Sequence, residues 1–334
     1  FVTNTTGNYN TALGYEALRA NTTASNNTAV GEGALRNNTT GSPNTAVGYR
    51  SLYTNTTGGE NTAIGYDALY TNNGANNVAL GYKALRANTT GSGNTGIGRD
   101  ALLANTTADN NTAVGHNSLT ATTGGGNNTA IGVNALLGNT TGSNNTALGT
   151  YALDAATTAN DNTAVGYAAL GANTTGTGNV GVGVSALTAN TTANDNTACG
   201  AYSLRDNTTG TFNTAVGRGA LLANTTASYN TAMGWSALTA NTTGAGSVAI
   251  GYQALTAQTT GGPNVAIGQN ALAACTTVWG NTAVGYYAGN ATTTGAYNTV
   301  VGTEALESNT TGSSNVAIGM RALEANTTAS YNVA

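Results

Sequence analysis

Charge is scarce in this sequence: only 7% of its 334 residues are Asp, Glu, Lys or Arg. The nine basic residues are scattered and form no stripe able to neutralise a phosphate backbone, so nucleic acid is not an expected partner. There is one histidine, His116, in a column of the repeat described below that is often tyrosine, as at Tyr15, Tyr49 and Tyr66. One imidazole and dispersed acids make neither a Ser/His/Asp set nor a metal site, so no enzyme activity, cofactor or metal is expected. Aspartates such as Asp67, Asp100, Asp109, Asp161 and Asp195 are too sporadic for a calcium-binding β-roll, which needs one in every turn. The two cysteines, Cys199 and Cys275, fall in different columns and read as unpaired stand-ins for small residues. No apolar run approaches the roughly 18 residues of a membrane-spanning helix. Proline occurs only at Pro43 and Pro263, and aromatics make up 6%. With 40% hydrophobic residues, low charge argues for a thin, extended core and against disorder.

What is present is a repeat. The glycine of Asn-Thr-Ala-Val-Gly recurs at Gly14, Gly31, Gly48 and Gly65, then from Gly81 every 17 residues to Gly319; only Gly65 to Gly81 is 16. Residues 1–334 therefore form a single array of about nineteen units. The consensus is N-T-A-(V/I/L)-G-Y-x-A-L-x-A-N-T-T-(G/A)-x-x, numbered here about the anchor glycine. Thr or Val at −3 (Thr11, Val78, Val180) and an aliphatic at −1 (Leu13, Val30, Ile64) are strand-forming. Alternation puts these on one face and only Ala and Gly on the other. The smooth Ala/Gly face is expected to pack closely, against the opposite wall of the coil or a neighbouring subunit.

Leu recurs at +4 (Leu18, Leu35, Leu52, Leu69, Leu85), failing only at Gly289. It reads as the main core ladder, worth roughly 1.5–3 kcal/mol per residue, with the −1 aliphatic contributing similarly. The segment carrying it, x-A-L-x-A, fits a second strand or a helical turn. Asn at +7 followed by Thr-Thr reads as a surface corner, where the 16-residue unit also loses its residue. A second Asn column, Asn10, Asn27, Asn44 and onward with Ser247 the exception, opens the strand; stacked about 4.8 Å apart, its amides are expected to bond along the axis. The fold class expected is all-β, a parallel β-solenoid. Asn-Thr-Thr and Asn-Asn-Thr triplets match the N-glycosylation pattern, but turn chemistry accounts for them.

N-(T/V)-A-(V/I/L)-G resembles the core of the head repeats of trimeric autotransporter adhesins, and Asn38 to Arg50 resembles repeats of bacteriophage tail fibres. That resemblance implies a left-handed β-roll, a homotrimer, and a place outside the cell, on a cell surface or a virion. The unit is longer than adhesin head repeats by its A-L segment.

Three functions are weighed. A fibre shaft fits the uniformity. The start at Phe1 without an initiator Met and the stop at Asn332-Val333-Ala334, short of its glycine, suit a piece of a longer fibre. Nineteen spacings would span on the order of 90 Å. A receptor or glycan would then be met by a tip outside this segment. An adhesin binding through the repeat face would use tyrosines such as Tyr9, Tyr229, Tyr297 and Tyr331. Ice binding ranks below both, because the paired threonines sit in a corner. Self-association, as a trimer or an end-to-end filament, is the expected partnership.

Overall fold

The computed structural model describes residues 3–334. It is all-β, with nineteen short parallel strands from β1 (Thr11–Leu13) to β19 (Val316–Ile318), one per repeat. The chain falls into two compact units, one ending at Ala164 and the other beginning at Val165. Within each, strands of successive coils pair in register, Thr11 with Thr28 and Ala12 with Ala29 in the first, Val180 with Thr197 and Gly181 with Ala198 in the second.

The x-A-L-x-A segment is neither strand nor helix. It is a run of tight turns in which Ala17 N–H donates to Gly14 C=O, Arg19 to Glu16 and Asn21 to Leu18. The residues at +2 and +4 take left-handed backbone, φ 55° at Glu16 and 49° at Leu18. Such a conformation costs an L-residue roughly 1–2 kcal/mol and is a severe outlier for a β-branched one. That explains why +4 holds Leu and never Ile or Val, whereas −1 accepts Val, Ile, Leu, Met and Cys freely. Leu136→Ile should therefore lower stability by about 1–2 kcal/mol at constant volume. Leu136→Met should cost less than half of that, as chemical denaturation will show.

Backbone bonds between coils form on this wall too. Leu18 N–H donates to Ala34 C=O and Ala20 N–H to Arg36 C=O, while Thr22 N–H on the third wall reaches Thr39 C=O. A coil's polar backbone is thus satisfied largely by its neighbours, so a coil is stable only in a stack.

The Ala/Gly face of the strands points inward. The −2 residues Ala29, Ala46 and Ala63 and the +4 residues Leu18, Leu35 and Leu52 are fully buried. The opposite wall is therefore what that face packs against. There is no room for more than Ala, because a Cβ built on Gly96 would already lie 3.3 Å from Leu85 Cγ. The −1 aliphatics consequently lie outside and are not core as the sequence suggests: Ile64, Leu80, Ile131 and Ile267 are 38–41% exposed.

Candidate functional surface

Of the residues singled out from sequence, Leu18, Leu35 and Leu52 lie in the core. Gly14, Gly31, Gly48 and Gly65 end their strands at φ 127–139°. Asn10, Asn27 and Asn44 face inward, and two of the three bond to the next coil through Oδ1: Asn10 Oδ1 accepts from Asn27 N–H at 2.9 Å and Asn44 Oδ1 from Asn61 N–H at 3.0 Å, whereas Asn27 Oδ1 is buried without a partner among the described residues. Their amides also donate across the coil, Asn27 Nδ2 to Gly41 C=O and Asn44 Nδ2 to Gly58 C=O.

The +7 asparagines are not a surface corner. Asn21, Asn38 and Asn55 are fully buried and form a second ladder, Asn55 Nδ2 donating to Asn38 Oδ1 at 2.9 Å and to Gly58 C=O at 2.9 Å. Glycans on these Asn-Thr-Thr asparagines are incompatible with the folded coil; the first residue of an Asn-Asn-Thr triplet is exposed at Asn26, Asn110, Asn127 and Asn144 and half-buried at Asn37. The 16-residue unit absorbs its deletion within this ladder. Asn72 Nδ2 reaches Gly74 C=O, two residues on where other coils reach three. Asn73 Oδ1 takes the place of a threonine carbonyl, accepting from Thr56 N–H and Oγ1 at 2.8 Å. Ser247 and Gln258, departures from the two Asn columns in one coil, repair each other: Gln258 Nε2 donates to Ser247 Oγ at 3.0 Å and Gln258 Oε1 accepts from Asn264 Nδ2 at 2.9 Å.

The surface on offer is the outer face of the strands. It carries a Thr/Val ladder at −3, an aliphatic ladder at −1 and the +1 column beside them. The −1 column forms an exposed, largely apolar strip within each unit. His116 sits exposed in the +1 column. Tyr9, Tyr229, Tyr297 and Tyr331 project from the corner before the strand, 66–88% exposed.

In the first unit the aromatics collect into two ladders. Tyr49, Tyr66 and Tyr82 stack at +1 with centroids 5.0 and 5.3 Å apart, and Tyr53 stacks on Tyr70 at +5, 5.2 Å apart. The second ladder is ended by guanidinium groups, Arg36 over Tyr53 and Arg86 over Tyr70, each at 5.3 Å. Arg50 lies between the ladders, 4.7 Å from the Tyr49 centroid and 5.7 Å from that of Tyr53. A one-coil spacing near 4.8 Å matches aromatic stacking, so equal residues in successive coils stack without rearrangement. Arg36 also pairs with Glu16, which holds that carboxyl below its usual range. In the second unit Glu304, Glu307 and Glu324 converge, with Arg321 donating to Glu304 at 2.7 Å.

The cysteines differ sharply. Cys199 occupies the outward −1 column and is exposed; Cys275 replaces a buried Asn, and burial pushes its thiol up to about 11. A disulfide-exchange reagent at neutral pH should titrate one thiol in the folded protein and two in denaturant. Above an ordinary pKa near 9.0, the unfolded chain loses the Cys275 proton while the folded chain keeps it. Stability is thus lost as pH rises from about 9 through about 11. Cys275→Ala, which copies Ala156 in the same column, should flatten that loss.

No family model matches this sequence, and no curated protein matches it either.

Proposed function

We propose that this chain is a structural shaft, a rigid spacer in an extracellular fibre on a cell surface or a virion, without catalytic activity. One observation carries the reading: within each unit, backbone bonds on all three walls and two buried Asn ladders join successive coils. Bonds aligned with the axis resist stretching and bending, as a spacer must, and every coil keeps the anchor glycine. The resemblance to adhesin heads and tail fibres supports a homotrimer. Its contact would use the outward Thr/aliphatic face, since the Ala/Gly face is spent inside the coil.

The test is to delete residues 95–162, four whole coils that leave Asn94 joined to Thr163. On the particle that bears the protein, antibody-labelled fibres should shorten by about 19 Å, four sheet spacings, with tip attachment retained. Absence of the label from any fibre, or unchanged length, overturns the proposal.

An adhesin is the second reading, favoured by the paired tyrosine ladders with Arg36, Arg50 and Arg86, a local break in an otherwise uniform wall. Loss of cell or glycan binding in a Tyr53→Ala, Tyr70→Ala variant of normal fibre length would support it.

A further inference from the structure

Side chains at +1 and +2 stack from coil to coil, so a coil with no side chain there leaves a gap one rung deep. Gly219 makes such a gap. It is the +2 residue of its coil, and around it lies a hollow of about 200 Å³ lined by Tyr202, Arg218, Leu222, Trp235 and Ser236. Gly33, the other glycine in this column, leaves no comparable space, because the Tyr53 ring lies 3.0 Å from where its Cβ would be. At Gly219 a Cβ would meet nothing closer than 3.7 Å.

The walls are chemically distinct. Trp235 stacks on Tyr252 in the following coil, centroids 5.1 Å apart and 11° from parallel. Its other face looks toward the Gly219 coil. Arg218 leans away from Trp235 and over Tyr202, 6.0 Å from the ring centroid. Tyr202 and Trp235 belong to coils two apart, about 9.5 Å along the axis, and to adjacent columns, +2 and +1, so both line the hollow without facing each other. Six of the eight arginines pair with carboxylates, and Arg50 is covered by two tyrosines. Arg218 makes no ion pair among the described residues and is exposed at the hollow.

We propose that the Gly219 hollow is a lateral binding site for one pyranose ring bearing a carboxylate, as in a uronic or nonulosonic acid. The volume is below the roughly 300–1,000 Å³ of drug-sized pockets, so a single ring fits. The apolar C–H face of the sugar lies on Trp235, whose aromatic surface is open on that side. Its carboxylate meets the Arg218 guanidinium, which presents paired donors in a planar fork. Ser236 Oγ, on the rim, is placed for a ring hydroxyl. An uncharged aromatic guest would leave both polar groups unmatched. The hollow is open to solvent, so the ring can belong to the end or the interior of a glycan chain. The site lies wholly within the second unit and stands whether or not the chain is a shaft.

The experiment is saturation-transfer NMR and titration of the full chain with trigalacturonate, N-acetylneuraminate and, as a neutral control, maltotriose. At least one of the two acids should bind at least tenfold more tightly than maltotriose; which one does so distinguishes a uronic from a nonulosonic ligand. Arg218→Gln should abolish that preference. Gly219→Tyr should abolish binding by filling the hollow, and it is compatible with the fold because Tyr151, Tyr202 and Tyr287 occupy the same column with the same positive φ. Binding of neither acid, equal binding of acid and neutral sugar, or binding unchanged in both variants would overturn the assignment.

Discussion

Gly98→Ala is expected to break the stack at its coil. The residue sits at φ 131°, and an added Cβ would lie 2.5 Å from the Gly115 carbonyl oxygen and 2.7 Å from its carbon. Both are backbone atoms of the next coil, held by hydrogen bonds on every wall, and neither can retreat as a flexible side chain would. The loss combines a severe clash with backbone strain and should exceed about 4 kcal/mol, the range of exceptional single substitutions. Gly319→Ala separates the two causes, since it shares the strained φ of 127° but has no atom within 4 Å of the new Cβ. Hydrogen exchange should show coils on both sides of Gly98 losing protection in the first variant and near-normal protection in the second. Equal, small effects at the two sites would mean that close coil approach is not what fixes glycine here.

The second large effect joins two departures from the consensus. Gly289 replaces Leu at the left-handed +4 position, φ 60°, and in strand β18 (Thr299–Val301) Val300 replaces the inward Ala. Val300 is fully buried, and its Cγ2 lies 3.9 Å from where a Cβ on Gly289 would stand. The valine therefore occupies core volume that the missing leucine vacates. Val300→Ala alone should cost about 2–3 kcal/mol by leaving a cavity, and Gly289→Leu alone about 1–3 kcal/mol by overpacking. The double variant restores the consensus coil and should be as stable as the parent, a coupling of at least about 3 kcal/mol. Additive losses in denaturant titrations would show that the two sites do not share one space.

Much of the architecture could be read from the sequence, because a near-constant 17-residue period with an invariant glycine and a leucine in every coil but one admits few folds. The assignment of inside and outside could not. Alternation says which residues share a face, and larger aliphatics ordinarily go inward. Here Leu52 and its counterparts already fill the coil from the opposite wall, so Ala46 and Ala63 face in while Val47 and Ile64 are displaced outward. The signal was present in the tolerance of the columns: −1 accepts five side-chain types, as an outer surface does, while −2 departs from Ala only at Gly96, Gly181 and Val300. The +7 asparagines lie inside for a related reason. Asn-Thr-Thr-Gly is turn chemistry, and turns are usually wet, but an asparagine whose amide bonds both along the axis and to its own turn is satisfied when buried. The Gly219 hollow has no sequence signature of its own, since glycine at +2 also occurs at Gly33, where Tyr53 fills the space.

The Ala/Gly face closes the coil, and the outward Thr/aliphatic face is the one we propose joins chains. That joining is tested most directly by the absolute mass of the dilute protein, by light scattering or native mass spectrometry, with and without Ile97→Lys and Ile131→Lys on the outer ladder. A trimer joined through that face gives three times the single-chain mass of 32.8 kDa for the parent and a folded monomer for the charged variant. A parent that is monomeric, or a charged variant that still forms the trimer, would contradict it.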